Sequence, residues 1–324
     1  MAYSQGGVIA ADDYNTFLNG SNQLNAVWAT GTGNSGYGQT ALSAVTQGGI
    51  VTATQWATLI NTLNSTLTHQ SGSGSGISAT TAGSTINYLS TLSTNINNAY
   101  TNRVNFATQG TTVTGTNFAG AASAANGIAA QTFTFTRTVT FASVDQARYF
   151  FNAGGQLNFV CGTATNNNAT NRSADLLTLI NTNFISYPAI RQGSGGGKTG
   201  TGGTVNTNAT NIGYYQLTTS NQTLVKITST TAAYNTDYIQ LDIKSSGAAG
   251  SYGDKGNIIT FTLTLYSGAQ SSYAAPAANP VGTGSTTNNT TTEDAIDVTV
   301  NHRIDIVPPE TTNLSNSWGS ITVA

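Results

Sequence analysis

Apolar positions in the first third of the chain recur every three or four residues, and in the remainder they mostly alternate. Over residues 11 to 28, Tyr14, Phe17, Leu18, Leu24 and Trp28 fall at helical spacings. Asp12 and Asp13 stand at the end where a helix dipole favours carboxylates. Gly20 weakens the middle of this stretch and allows a break. Thr52 to Gln55 matches a capping box, and Trp56, Leu59, Ile60, Leu63 and Leu67 follow, which predicts a helix ending before the glycine-serine link at 71 to 76. His69, near that end, reads as a cap or surface residue beside the last carbonyls. A third helical pattern runs from 84 to 107 through Ile86, Leu89, Leu92, Ile96, Tyr100, Val104 and Ala107. Its other face is Asn, Thr and Ser, so the apolar stripe needs a partner, either within the chain or from a symmetry mate.

Residues 108 to 130 are small and polar and mark a boundary, beyond which the period changes to two. Phe133, Phe135, Val139 and Phe141 alternate with threonines, the pattern of an antiparallel strand with one wet side. The densest apolar cluster, ARYFFNAGGQLNFVCG at 147 to 162, reads as a β-hairpin. Tyr149 and Phe151 form one arm, Leu157, Phe159 and Cys161 the other, around an Asn-Ala-Gly-Gly turn. Phe150 and Val160 on the opposite face place that hairpin between two layers. Leu176, Leu177, Ile180 and Phe184 suggest one short helix on the sheet. Further strands are predicted at 212 to 219, 223 to 230, 238 to 244, 257 to 266 and 295 to 307. The last carries Ile296, Val298, Val300, His302, Ile304 and Ile306 on one face, with His302 as a hydrogen-bonded core histidine. The fold class that follows is α+β: an N-terminal helical attachment region over 1–110, a linker over 111–130, and a mainly antiparallel, sandwich-like β domain over 131–324.

Composition changes this picture in one respect. Charged residues make up 7% of the 324-residue chain, against roughly 25% in ordinary globular proteins, so Thr, Asn, Ser and Gly take the surface. The ten basic residues form no run, which argues against a nucleic-acid partner. No apolar run approaches the roughly 20 residues of a membrane span, and the amino terminus lacks a signal-peptide pattern. Cys161 is alone, which fits a small buried hydrophobe and synthesis in a reducing cytoplasm.

Several motifs invite chemistry and fail their context. Gly31, Gly33 and Gly36 meet the GxGxxG spacing, but a helical pattern precedes them where a dinucleotide site needs a strand. The Gly197-Lys198-Thr199 run lacks the earlier glycine of a phosphate loop, that position being Gln192. Glu293, Asp294 and Asp297 could hold calcium, but such a cluster is ordinarily a solvated loop end. Asp242 and Asp305 fall on polar strand faces. No cofactor and no catalytic or metal-binding residue is assigned, and the chain is read as not an enzyme. Exposed aromatics could contact a glycan, and Tyr214, Tyr215, Tyr234, Tyr252 and Tyr273 are the candidates.

Two blocks carry a resemblance. ADDYNTFLN at 11 to 19, GYGQT at 36 to 40, GGIVTATQWATLINTLN at 48 to 64 and the His69-Gln70 pair form one; VDQARYFFNAGGQLNF at 144 to 159 forms the other. Both resemble segments of tailed-bacteriophage virion structural proteins of the marine and cyanobacterial myovirus type. The resemblance implies a virion component, made in the host cytoplasm, that partners other virion proteins of the tail fibre or baseplate. It supplies no catalytic residues, and the region after 190 takes no part in it. With fibre analogy and the apolar helix at 84 to 107, it leads to an expected homotrimer. The alternatives are a capsid decoration protein and a carbohydrate-binding or depolymerase tail protein that meets a host surface glycan.

Overall fold

Helices open the chain in the order the periodicity predicts. α1 (Ala11–Leu18) and α2 (Leu24–Trp28) are two pieces separated across Gly20, followed by α3 (Ala53–Ser71) and α4 (Leu89–Thr101). The computed structural model describes residues 10–124, 129–161, 164–167, 171–183, 187–195, 203–231, 234–247, 251–269 and 295–324. At the start of α3 the Thr52 hydroxyl accepts from the Gln55 N–H at 3.2 Å and Gln55 Oε1 accepts from the Thr52 N–H at 2.9 Å, the reciprocal capping box. Tyr14, Phe17 and Leu18 of α1 and Leu24 of α2 are buried with Trp56, Leu59, Ile60 and Leu63 of α3. The α4 stripe, Leu92, Ile96 and Ala99, closes the same core against α2 and α3. Its partner is therefore inside the chain, and α4 is shorter than the sequence pattern, leaving Val104 beyond its end and 37% exposed.

Two antiparallel sheets follow. The first has strand order β1 (Phe118–Ala124), β10 (Ile296–Val307), β3 (Gln156–Cys161) and β5 (Tyr187–Ile190), with the two-residue β4 (Thr165–Asn166) also on β10. The second runs β11 (Ile321–Val323), β2 (Gln131–Phe141), β9 (Ile258–Ser267), β8 (Tyr238–Ser245), β7 (Gln222–Ser229) and β6 (Gly203–Asn208). Alternation sets the register: Phe135 faces Leu263 and Val139 faces Ile259 across β2 and β9, and Leu263 faces Leu241 across β9 and β8. The inner faces meet in one core, where Phe159 of the first sheet lies 6.0 Å from Phe261 of the second. The α6 helix (Asn171–Asn183) packs against β7, β8 and β10. The architecture is the expected α+β arrangement of N-terminal helices and an antiparallel sandwich.

The densest apolar cluster is not a hairpin. Its first arm is the helix α5 (Val144–Asn152), followed by the strand β3. Ser143 caps it, its hydroxyl accepting from the Gln146 N–H at 3.1 Å, and Ala147, Phe150 and Phe151 bury one helical face. The Asn-Ala-Gly-Gly sequence ends a helix instead of reversing a strand. Gly154 has φ +88°, its N–H donates to Phe151 O at 3.1 Å, and the Gly155 N–H donates to Phe150 O at 2.8 Å, which is a Schellman closure. A run as short as Tyr149–Phe151 satisfies both periods, and the cap decides between them.

Three other expectations change. The 111–130 stretch is not merely a linker, since β1 pairs with β10 from Phe118 opposite His302 to Ala124 opposite Ile296. Its small residues fit because Gly120 leaves room for the Phe135 ring of the facing sheet. The strand expected at 212 to 219 is a single 3₁₀ turn, Tyr214–Gln216, with Tyr214 buried. Among the described residues, β5 and β6 lie where no strand was predicted. The Gly197-Lys198-Thr199 run lies outside the described residues.

Candidate functional site: a buried polar junction

Helix α5 turns two polar side chains inward one helical turn apart, Arg148 and Asn152, which are 0% and 1% exposed. They meet the glycine-rich loop between α2 and α3. Arg148 Nη1 donates to Ser35 O at 2.7 Å and Nη2 to Thr30 O at 2.7 Å, with Asp145 Oδ1 at 3.3 Å. Asn152 Nδ2 lies 2.9 Å from Ser35 O and 3.1 Å from Gly36 O. Asn152 Oδ1 accepts from the Tyr215 hydroxyl at 2.8 Å and from Gln192 Nε2 at 3.2 Å. The loop thus aims carbonyl oxygens at a cation, the reverse of a phosphate cradle, which presents N–H groups. Its path demands glycine at Gly36, where φ is +92° and a Cβ would lie 2.0 Å from Thr30 O.

The next residue of the loop extends the junction. Tyr37 is buried, its hydroxyl donating to Arg103 O at 2.8 Å and accepting from Gln70 Nε2 at 2.8 Å. Its ring stands edge-on to His69 at 5.1 Å between centroids. His69 is buried at the end of α3, with Nδ1 3.0 Å from Glu310 Oε1. Burial lowers the His69 pKa, and Glu310 opposes that shift. Burial would raise Glu310, but the N–H groups of Asn313 and Thr312 together with His69 hold it below the usual carboxylate range. With Glu310 ionised, Nδ1 carries the imidazole proton and donates it. Nε2, the atom a general base would present, is buried without a hydrogen-bond partner among the described residues. Buried and held to Glu310, His69 is neither the surface residue nor the simple cap that the sequence suggests.

Gln39 completes the seam: Nε2 donates to Ser315 O at 2.8 Å and Oε1 accepts from the Ser315 N–H at 2.8 Å. Gln109 Nε2 donates to Gly154 O at 2.8 Å. The helical layer and the sandwich are therefore joined by hydrogen bonds from both sides of the loop and not by one tether.

Two further polar clusters lie in the sandwich. Arg172 and Asp237 form an ion pair at 3.5 Å with both side chains fully buried, and Asp237 also accepts from the Ser267 hydroxyl and the Gly268 N–H, each at 2.8 Å. Burial raises the Asp237 pKa against those hydrogen bonds and the nearby arginine. His302 sits between the sheets, 5.4 Å from the Phe135 ring and 6.3 Å from Phe159, with Cys161 opposite it in register. Burial, then the charge of Arg137, pushes the His302 pKa down to about 4. It is a core histidine on the apolar face as the alternation predicts, and Cys161 is buried beside it.

The candidate glycan tyrosines are dispersed. Tyr214 is buried and stacked on Phe151 at 4.5 Å, and Tyr234 is buried near Arg172. Tyr215 is spent on Asn152 and on Gly33 O at 2.6 Å, and Tyr252, 38% exposed, is the most exposed of those described, with the Arg148 guanidinium over its ring at 5.3 Å. Tyr273 lies outside the described residues, as do Glu293 and Asp294 of the acidic cluster; Asp297 accepts from Asn167 Nδ2 at 3.0 Å. Among the described residues no group of three or more His, Cys, Asp or Glu could hold a metal ion, and no helix is long and apolar enough to cross a membrane. Asp242 and Asp305 are buried and hydrogen-bonded, Asp242 by Thr223 at 2.7 Å and Asp305 by Arg303 at 2.8 Å.

Sequence reasoning passes over Arg148, Asn152 and Glu310. The available signal was an Arg and an Asn four apart inside an apolar cluster, which is visible only once that cluster is read as a helix. No family model, no curated protein and no solved structure matches the chain.

Proposed function

We propose that the chain is a structural component of a bacteriophage virion, a tail-fibre or baseplate-associated protein that assembles with other virion proteins and reaches toward the host surface. One observation carries the reading. Segments that resemble myoviral virion proteins, far apart in sequence, meet at the junction: Gly36 O of GYGQT accepts from Asn152 of the second block, and Gln70 donates to the Tyr37 hydroxyl. A charge-poor chain in which the buried Arg148, Asn152, Gln70 and Tyr37 side chains bind other parts of the chain suits a particle subunit held by packing. The helical layer docks to the particle, the sandwich projects, and the junction passes load between them.

Immunogold labelling of purified particles, with mass spectrometry of their proteins, tests this. Label on the tail is the expected result. Label confined to the capsid would transfer the chain to the decoration proteins, and its absence from purified particles would refute a virion role altogether.

A further inference from the structure

His302 is fully buried within β10, and its ring lies among aromatics from three other strands: Phe118 of β1 at 6.4 Å, Phe135 of β2 at 5.4 Å and Phe159 of β3 at 6.3 Å between centroids. Its polar atoms are poorly served. Nδ1 lies 3.4 Å from Val300 O, and Nε2 has no hydrogen-bond partner among the described residues. A neutral ring with its proton on Nδ1 leaves a single acceptor unpaired. Protonation adds a buried charge and an Nε2–H with nothing to receive it. The groups facing the ring do not help. β2 contributes Arg137, whose guanidinium lies 3.7 Å from the centroid of the Phe118 ring; β3 contributes Cys161; β1 has no charged residue. Arg303 and Asp305 alternate onto the other face of β10, where they pair with each other at 2.8 Å. A protonated His302 therefore faces a like charge and, among the described residues, no carboxylate.

The wall that yields most easily is β1. β10, β3 and β2 each have a strand on both sides, whereas β1 is an edge strand paired with β10 alone. Ala122 is its one fully buried residue, so lifting β1 exposes little apolar surface. Phe118, opposite His302 in the register, is the residue through which it covers the ring. We propose that β1 is an acid-released flap: protonation of His302 detaches Phe118–Ala124 from β10 while both sheets stay folded, freeing the β10 edge between Ile296 and His302.

The proposal goes beyond the virion reading and is independent of it, since it concerns the purified chain at two pH values. The enclosed ring has its pKa pushed down to about 4, and a ring exposed by release protonates near 6.5, so release is favoured as pH falls from 6.5 toward 4. Between about pH 7.5 and pH 4 opening should become roughly 100-fold more frequent. Hydrogen exchange of the full-length chain, corrected for the pH dependence of the intrinsic rate, should show the 118–124 peptide losing roughly 100-fold in protection while β8 and β9 keep theirs. His302→Leu should keep that peptide protected at both pH values. Should that variant misfold, a histidine-ring NMR titration of the wild type decides, because His302 should titrate at the pH where 118–124 opens. Unchanged protection of 118–124 at pH 4, an equal loss in a folded His302→Leu, simultaneous loss across β8 and β9, or a ring titration away from the opening midpoint would each overturn the proposal.

Discussion

Replacing Arg148 by methionine keeps most of the volume of the side chain and removes its fork of donors. Two bonds of 2.7 Å, to Thr30 O and Ser35 O, disappear. Bonds from a charged donor contribute about 1.5–3 kcal/mol each, so the gross loss is about 3–6 kcal/mol. Part of this is returned because no guanidinium need now be stripped of water. Ser35 O also keeps Asn152 as a donor, whereas Thr30 O loses the side-chain donor it had. The net cost should be about 3 kcal/mol. Arg148→Lys separates charge from geometry: an ammonium retains the cation but cannot span both carbonyls, so it should recover little of the loss. Urea unfolding followed by tryptophan fluorescence and far-ultraviolet circular dichroism measures both variants. Trp56 reports the helical layer, Trp318 the sandwich, and Trp28, which packs against both cores, the seam between them. If Arg148→Met stays within about 1 kcal/mol of wild type, or Arg148→Lys matches wild type, the carbonyl cage does not hold the junction and the reasoning fails.

Two other outcomes follow from named atoms. Gly36→Ala places a Cβ against the Thr30 backbone at 2.0 Å and should destabilise clearly more than Gly33→Ala, which has a left-handed φ of +54° but open space and should cost only about 1 kcal/mol; equal melting temperatures for the two would discredit the close approach. His302, pushed to about 4, is neutral in the folded chain at pH 7, while the unfolded chain takes up the proton near pH 6.5. Its contribution is complete above that value and is lost as pH falls toward 4, about 3 kcal/mol in all. His302→Leu should flatten that part of a stability-against-pH curve, leaving only the slope from groups such as His69 and Glu310. An unchanged slope would mean that His302 is not desolvated.

The helices α1 to α4 were legible because each carries its own evidence: a stripe at 3.6-residue spacing, a capping box in α3, and an interruption at Gly20. β2, β7, β8, β9 and β10 were legible for the equivalent reason, an alternation that one buried face imposes. Local pattern determined those elements and the α+β class. It failed where the deciding partner is distant. Tyr149–Phe151 fits either period, and the cap at Ser143 with the packing of Phe150 and Phe151 settled it as helix. β1 is a row of small residues with no stripe to read, and it is a strand only because β10 offers its edge. Glu310 and His69 are 241 positions apart, and no spacing rule can pair them. Composition could say that charges are few; only the tertiary structure could say that Arg148 is enclosed by carbonyls, because a buried cation is stabilised by whatever the fold brings around it and not by its neighbours in sequence.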